Sequence, residues 1–168
     1  MTADLRRSPL AGLLVDVPGM RELPFRTMVN VRTSATELLG VALPGPNRVA
    51  TVGERAILWL GPDEWLVVGP DGDPLAAELT GESVVDVSAN RTTIELSGPH
   101  ARDVLEKGMS IDLHPRAFGP GQCAQTMLAR AQVIVRQVDA EPTYHVLVRG
   151  SFAPYLADWL VDASKEYR

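Results

Sequence analysis

The stretch RTTIELSGPHARDVLEKG, residues 91–108, is the one that decides the fold, because it shows a strand followed directly by a helix. Polar and apolar residues alternate over residues 91–97, which predicts a half-buried β-strand. Pro99 favours the start of a helix and Gly108 favours its end. The unit to look for elsewhere in the chain is therefore a strand and then a helix.

The same order occurs earlier in the chain. RTMVNVR, residues 26–32, alternates in the same way and predicts another strand. SATELLG, residues 34–40, follows it, and Ser34 and Glu37 have the spacing of a capping box. With Gly40 as its end, this segment predicts a short helix.

Each half then continues with two hairpin strands and a further helix. The first half continues with strands RAILWL (55–60) and WLVVG (65–69), helix DPLAAELTG (73–81) and strand SVVDVS (83–88). The second half continues with strands in QCAQTMLARAQVIVRQVD (122–139) and TYHVLVRG (143–150), and a last helix from Phe152 to about Lys165.

This order predicts an α+β fold of two ferredoxin-like βαββαβ-type units packed together, with antiparallel sheets and helices on one face. Residues 25–168 are expected to form a single α+β domain of two pseudo-repeated halves, about 25–90 and 91–168. Residues 1–24 are expected to form an extended N-terminal arm. The apolar residues of this arm need cover from the domain or from a partner: Leu10, Leu13, Leu14 and Val15.

The charge distribution excludes one class of function and leaves two alternatives for an acidic segment. The net charge is −5, and no Lys, Arg or His occurs from Ala56 to Asn90. The chain has no basic cluster, which argues against nucleic-acid binding, because that requires concentrated Lys and Arg. The acidic stretch is interpreted either as solvated surface or as a patch for a basic partner.

Cysteine content and hydropathy indicate the compartment. The single cysteine, Cys123, allows no internal disulfide, which suits a reducing cytoplasm. No apolar run approaches the roughly 20 residues that a membrane span needs. We therefore expect a soluble, cytoplasmic protein that is not in a membrane.

Two adjacent acids in LGPDEWLVVG, residues 60–69, raise the question of a site. Asp63 and Glu64 would suit either the corner of an active site or a solvated hairpin turn. The corresponding turn of the second half, VDAEPTY (138–144), also carries acids, which favours turn chemistry. Trp65 starts a strand and is expected in the core or at an interface.

A search for reactive motifs finds none. The three histidines are far apart and lack metal-ligand spacing, and neither a phosphate-binding glycine loop nor a G-x-S-x-G elbow occurs. Cys123 is more typical of a small buried residue than of a nucleophile. The sequence thus predicts no catalytic, cofactor-binding or metal-binding residue. The candidates for a partner or anion contact are Trp65, Arg91 and Arg149, against the alternative of core packing or solvated surface.

Four stretches in order along the chain resemble the gamma subunit of heterotetrameric sarcosine oxidase. They are RRSPLAGL (6–13), LGPDEWLVV (60–68), VDVSANRTTIELSGPHARDVLEKGMSIDLHPRAFGPGQCAQT (85–126) and VRGSFAPYLADWLVDASKEY (148–167). The third stretch is also similar to a shortened folate-binding aminomethyltransferase fold.

The resemblance implies a subunit without catalytic residues in an oxidase complex. Such a complex demethylates sarcosine to glycine, gives hydrogen peroxide and transfers the one-carbon product to tetrahydrofolate. The resemblance implies that this chain binds no cofactor, and that FAD, FMN, NAD and tetrahydrofolate are held by larger subunits. Its expected partners are the large flavoprotein subunits alpha, beta and delta, contacted through the arm or the acidic stretch.

Two alternatives stay open at this point. The chain could belong to a related dehydrogenase complex for another N-methyl amino acid, since substrate choice would lie in another subunit. It could also be a free-standing folate-binding module for aminomethyl transfer, which rests on fold-level analogy alone.

Overall fold

The structure, a computed structural model, describes residues 5–14 and 17–167. The strands and α-helices follow one another as β1 (Met20–Leu23), β2 (Thr27–Arg32), β3 (Glu37–Leu38), β4 (Val41–Ala42), β5 (Val49–Val52), β6 (Arg55–Gly61), β7 (Glu64–Gly69), α1 (Leu75–Glu78), β8 (Ser83–Asp86), β9 (Arg91–Leu96), α2 (Ala101–Glu106), β10 (Cys123–Leu128), β11 (Ala131–Asp139), β12 (Thr143–Arg149) and α3 (Ala153–Ala163).

Most strands belong to two five-stranded sheets in which all neighbours are antiparallel. Sheet 1 has the order β5-β6-β7-β2-β8, and sheet 2 has the order β10-β11-β12-β9-β1. Read in this direction, β2 and β9 occupy the same position in their sheets, as do the hairpins β6-β7 and β11-β12. The predicted combination of antiparallel sheets with a few helices is confirmed.

The two sheets pack face to face, and their outer faces are covered separately. The layer between the sheets contains Met28, Ala56, Leu58 and Leu66 of sheet 1 with Cys123, Ile134 and Leu147 of sheet 2. Helices α2 and α3 cover the outer face of sheet 2 through Val104, Leu105, Leu156 and Leu160. Helix α1 and the β3-β4 hairpin cover the outer face of sheet 1 through Leu38, Leu75 and Leu79. Helices therefore lie on one face of each sheet.

The helix predicted at residues 34–40 is wrong, because this segment forms the β3-β4 hairpin. Glu37 pairs with Ala42 and Leu38 with Val41. The turn residues Leu39 and Gly40 have φ of 53° and 77°, as a two-residue turn with both residues left-handed requires. Gly40, interpreted as a helix end, is thus a hairpin residue.

The second predicted helix of the first half is shorter in the structure than expected, at both of its ends. The helix expected at residues 73–81 is only Leu75–Glu78, and the Asp73 side chain does not cap it. The Asp73 carboxylate instead accepts hydrogen bonds from the Arg55 guanidinium at 2.5 and 2.8 Å. Arg55 also donates to Glu78 at 2.6 Å. This one arginine of β6 therefore binds the segment just before α1 and the last residue of α1. These bonds raise the pKa of Arg55 above its ordinary value.

The N-terminal segment packs closely on sheet 2. Its last residues, Met20–Leu23, form β1, which pairs with β9 so that Met20 faces Leu96. Leu10 and Leu14 are buried in the same core as α2 and α3, so the domain itself covers them. Leu13 is exposed, and Val15 lies outside the described residues.

Because Leu10 is buried against the core of sheet 2, its substitution tests whether the N-terminal segment packs there. Leu10 is 2% exposed and Leu13 is 44% exposed, although the two leucines are only one turn apart. Leu10→Ala should lower the free energy of unfolding by about 2–5 kcal/mol, because it leaves a cavity in the core. The matched variant Leu13→Ala should cost less than about 0.5 kcal/mol. Urea denaturation of both variants measures these changes. Equal losses in the free energy of unfolding would mean that this segment does not pack as described.

Candidate functional site

Each carboxylate of the acidic stretch has a polar or charged partner within the chain. Arginines from outside the stretch bind Asp63 and Glu64 (Arg32), Asp71 (Arg6), and Asp73 and Glu78 (Arg55). Serine hydroxyls bind Glu82 (Ser34) and Asp86 (Ser88). Hydrogen bonds from Ser34 lower the pKa of Glu82 to about 2. Three arginines therefore hold five of the seven carboxylates, and a net charge of −4 remains over these groups.

The turn expected in the LGPDEWLVVG segment is present. Pro62 and Asp63 form the turn between β6 and β7, while Glu64 begins β7. Trp65 is 6% exposed and its indole N–H donates to the Pro44 carbonyl at 3.1 Å. Two roles were considered for Trp65, and this geometry supports core packing. Little of the Trp65 side chain is accessible to a partner subunit.

A row of polar side chains crosses the inner face of sheet 2. Arg21, Glu95, His145 and Arg136 lie on four adjacent strands in mutual register. Arg21 donates to Glu95 at 2.6 Å, and His145 Nε2 lies 3.1 Å from the same carboxylate. Arg136 donates to His145 Nδ1, with its Nη2 at 3.1 Å. The row is a continuous hydrogen-bonded chain in which His145 joins a carboxylate to a guanidinium.

The surroundings of His145 keep its imidazole neutral near pH 7. Burial and then the neighbouring Arg136 charge lower the pKa of His145 to about 4, against the opposing effect of Glu95. Burial alone would raise the pKa of Glu95, but hydrogen bonds from Arg21 and His145 outweigh it and lower that pKa. Because Nδ1 accepts from Arg136, the proton of the neutral ring lies on Nε2 and points to Glu95.

The two candidate arginines lie side by side. Arg91 of β9 and Arg149 of β12 are direct cross-strand partners. They line a groove of about 430 Å³ together with Gln125 and Gln132. Burial and then the Arg149 charge lower the pKa of Arg91, while Glu64 opposes this. Within the described part of the chain, neither guanidinium lies within ion-pair distance of a carboxylate.

Other reactive groups are not assembled into a site. Burial raises the pKa of the Cys123 thiol to about 11, and the sulfur lies 3.4 Å from the Arg48 carbonyl, so it behaves as a small core residue. In residues 5–14 and 17–167, no group of three or more His, Cys, Asp or Glu side chains could hold a metal ion. No helix in the same residues has the length and apolar character to cross a membrane.

Sequence reasoning missed the polar row, although a signal for it exists. Glu95, His145 and Arg136 each interrupt an apolar strand at positions whose neighbours on both sides are hydrophobic or aromatic, apart from Gln137. Alternation shows that such a residue lies on the opposite face from its neighbours. It does not show which strands are adjacent, so the contact between the three side chains could not be inferred.

Comparison with known proteins identifies the family. Residues 29–166 match the model of the sarcosine oxidase, gamma subunit family. The chain belongs to this family. It is 40% identical over 164 residues to the sarcosine oxidase subunit gamma of Corynebacterium sp. strain P-1, covering 88% of this chain and 80% of that one. It is 39% identical to the subunit gamma from Arthrobacter sp., covering 99% of this chain and 93% of the relative.

A solved structure supports the same conclusion. The fold matches a chain of heterotetrameric sarcosine oxidase from Corynebacterium sp. U-96 in complex with pyrrole 2-carboxylate, with a TM-score of 0.87. The two chains are 34% identical, and the match covers 98% of this chain and 97% of the other. The resemblance stated from the four sequence stretches is confirmed.

The low pKa of His145 predicts a pH dependence of stability. Between pH 6.5 and about 4, His145 is protonated in the unfolded chain and neutral in the folded chain. The free energy of unfolding should therefore fall as the pH falls through this range. The loss amounts to about 3 kcal/mol at most. His145→Gln should flatten this dependence in urea denaturation at a series of pH values, whereas the variant of an exposed histidine, His100→Gln, should keep it. An unchanged slope in His145→Gln would contradict the role given to His145.

Proposed function

We propose that this chain is the gamma subunit of a heterotetrameric sarcosine oxidase and supports assembly of that complex without an active site of its own. The observation that carries the proposal is the match along 98% of the chain to one chain of such a complex, together with family membership. Three relatives at 35–40% identity are named as subunit gamma of sarcosine oxidase. The reaction in this proposal is oxidative demethylation of sarcosine to glycine.

The proposal divides the chemistry among the subunits. FAD, FMN, NAD and tetrahydrofolate belong to the larger subunits, alpha, beta and delta, and this chain binds none of them. We place the complex in the cytoplasm, which suits a chain whose single cysteine is buried as a free thiol. The support for the division is the absence of a reactive motif in the sequence and the core role of Cys123.

A duplicated architecture is part of the same proposal. The matching positions of β2 and β9, and of the hairpins that follow them, support descent of both sheets from one ferredoxin-like unit. Helices α1 and α3 follow the corresponding strands β7 and β12. Two positions differ. The β3-β4 hairpin follows β2, whereas helix α2 follows β9. In the last position, β8 follows α1 in sheet 1, whereas β1 fills that position in sheet 2 from the other end of the chain. On this interpretation residues 25–168 form one domain of two halves, and residues 1–24 contribute an arm that ends in β1.

The surface proposed to meet a larger subunit is the groove with Arg91 and Arg149. Like charges directly opposite on neighbouring strands destabilise a sheet unless a counter-charge is present. A carboxylate from a partner subunit would supply that charge, and a guanidinium binds it with two parallel hydrogen bonds. Five of the seven acids of residues 56–90 already pair with arginines of this chain, whereas Arg91 and Arg149 pair with no carboxylate among the described residues, which favours the two arginines as the charged contact.

Coexpression tests the assembly role. When coexpressed with the larger subunits of its oxidase, this chain should copurify in a one-to-one ratio with each of them. Purified alone, it should be colourless and should not oxidise sarcosine when oxygen consumption is measured. Sarcosine oxidation by the isolated chain, or its absence from the purified complex, would contradict the proposal.

A charge reversal tests the groove. Arg149→Glu should weaken copurification with the larger subunits at least about tenfold, because replacing a buried ion pair by two like charges costs about 2 kcal/mol or more. The same variant should leave the isolated chain as stable as wild type in urea, since the introduced carboxylate would lie opposite the guanidinium of Arg91. Arg130→Glu, in the exposed turn between β10 and β11, is the matched control and should copurify normally. Normal copurification of Arg149→Glu would remove the groove from the interface.

A further inference from the structure

A small cavity lies between the two sheets at one end of the polar row. Its volume is about 50 Å³. Sheet 2 contributes Thr93, Arg136, His145 and Leu147, while the side of sheet 1 contributes Arg26, Glu54, Leu58 and Val68. A single water needs about 10–15 Å³ of such space, so the cavity has room for a small ion but not for an organic cofactor or a peptide.

The positive charges that line this cavity lack carboxylate partners. Within residues 5–14 and 17–167, Arg136 donates side-chain hydrogen bonds only to neutral His145, at 3.1 and 3.3 Å. Burial and then the nearby Arg26 charge lower the pKa of Arg136, so two cations share this space. Among the described residues, no carboxylate lies within ion-pair distance of Arg26 or Arg136. Both arginines are partly buried, and a partly desolvated charge is still costly without a counter-charge, so an anion in the cavity would stabilise them.

Thr93 supplies a second, independent observation. Thr93 is 2% exposed, and its buried hydroxyl has no hydrogen-bond partner in the part of the chain that the structure describes. Threonine at this position is not required for packing alone, because valine has nearly the same shape. A buried hydroxyl left unpaired costs about 1–3 kcal/mol. An unpaired hydroxyl on a residue that lines a cavity with two arginines has the chemistry of an anion ligand.

The charge balance around the cavity stays positive after the nearby acids are counted. Arg21, Arg26 and Arg136 are cationic, while Glu95 and Glu54 are anionic. Glu95 is already held by Arg21 and His145, and Glu54 is exposed at the cavity mouth without an ion pair in the described residues. One positive charge remains, which matches one monovalent anion.

We propose that this cavity is a binding site for a small inorganic monovalent anion such as chloride, held by Arg26, Arg136 and the Thr93 hydroxyl. The anion bridges Arg136 of sheet 2 and Arg26, the residue just before β2 of sheet 1. Its binding therefore stabilises the packing of the two sheets against each other. The proposal concerns this chain alone and does not depend on its role in an oxidase. The competing occupant is water, which would bring no charge to the two arginines.

Bromide locates the anion directly. Crystals of the full-length chain grown with sodium bromide as the only halide should show an anomalous scattering peak in the cavity, between Thr93 Oγ1 and the two guanidinium groups. Crystals grown with sodium gluconate, whose anion is too large for the cavity, should show no such peak. A cavity without anomalous signal in bromide would mean that water fills it, and the proposal would be wrong.

Chloride dependence of folding gives a measurement in solution. At constant ionic strength, with gluconate replacing chloride, the folding equilibrium constant of the full-length chain should rise with chloride. The rise approaches tenfold for each tenfold increase of chloride once the site is largely filled. The variant Arg130→Met, which removes an exposed arginine, should retain this dependence and so controls for net charge. A wild-type folding constant that does not change with chloride would overturn the proposal.

Two variants separate the anion site from general packing. Arg136→Met should abolish the chloride dependence. Because it also removes the partner of His145, Thr93→Val provides a second route that keeps all charges. Without chloride, Thr93→Val should be at least as stable as wild type, since an unpaired hydroxyl is replaced by a methyl group. With chloride it should gain less than wild type, and a wild-type gain in Thr93→Val would overturn the role of its hydroxyl.

Discussion

Two antiparallel sheets packed face to face, with helices and a hairpin on their outer faces, leave little of the central strands open to water. Side chains of β7, β12 and their neighbours that lie in these packed layers are therefore mostly apolar or hydrogen-bonded within the protein. Among the described residues, the exceptions include the buried Thr93 hydroxyl and the Arg91–Arg149 pair in its groove. On the outer faces, leucines and valines of the helices and of the β3-β4 hairpin pack against apolar residues of the strands. The inner faces have an apolar centre, Met28 and Leu66 against Ile134 and Leu147, and polar groups toward the ends.

The same constraint explains why the polar row is organised across the strands. Glu95 and His145 are too deep to be solvated fully, so each must find a partner in the neighbouring strand. Cross-strand register places those partners at hydrogen-bond distance, and the row then connects an exposed arginine, Arg21, to a half-buried one, Arg136. In such a chain each group fixes the orientation of the next. The neutral state of His145 follows first from its burial and then from the Arg136 charge beside its other nitrogen.

How far the sequence predicts this fold depends on how local each signal is. Alternation predicts strands at residues 26–32 and 91–97, and β2 and β9 lie within these ranges. The helix prediction for residues 34–40 is wrong because helical spacing competes there with the burial of Leu38 under sheet 1, and burial wins. The polar row and the Arg91–Arg149 pair depend on which strands are neighbours, and that information is distributed over the whole chain. The family resemblance rests on ordered stretches of sequence and requires no knowledge of register.

The position of β1 has a consequence for biosynthesis. Among the described strands β1 is synthesised first, yet its hydrogen-bonding partner β9 is made only after all of sheet 1. Leu10 and Met20 therefore stay uncovered while more than half of the polypeptide is translated, and sheet 2 closes last with an edge supplied from the beginning of the chain. Pairing over such a long loop is slow relative to local hairpins. The nascent chain is consequently most prone to aggregate before its second half has emerged, which makes early chaperone contact with the N-terminal segment advantageous.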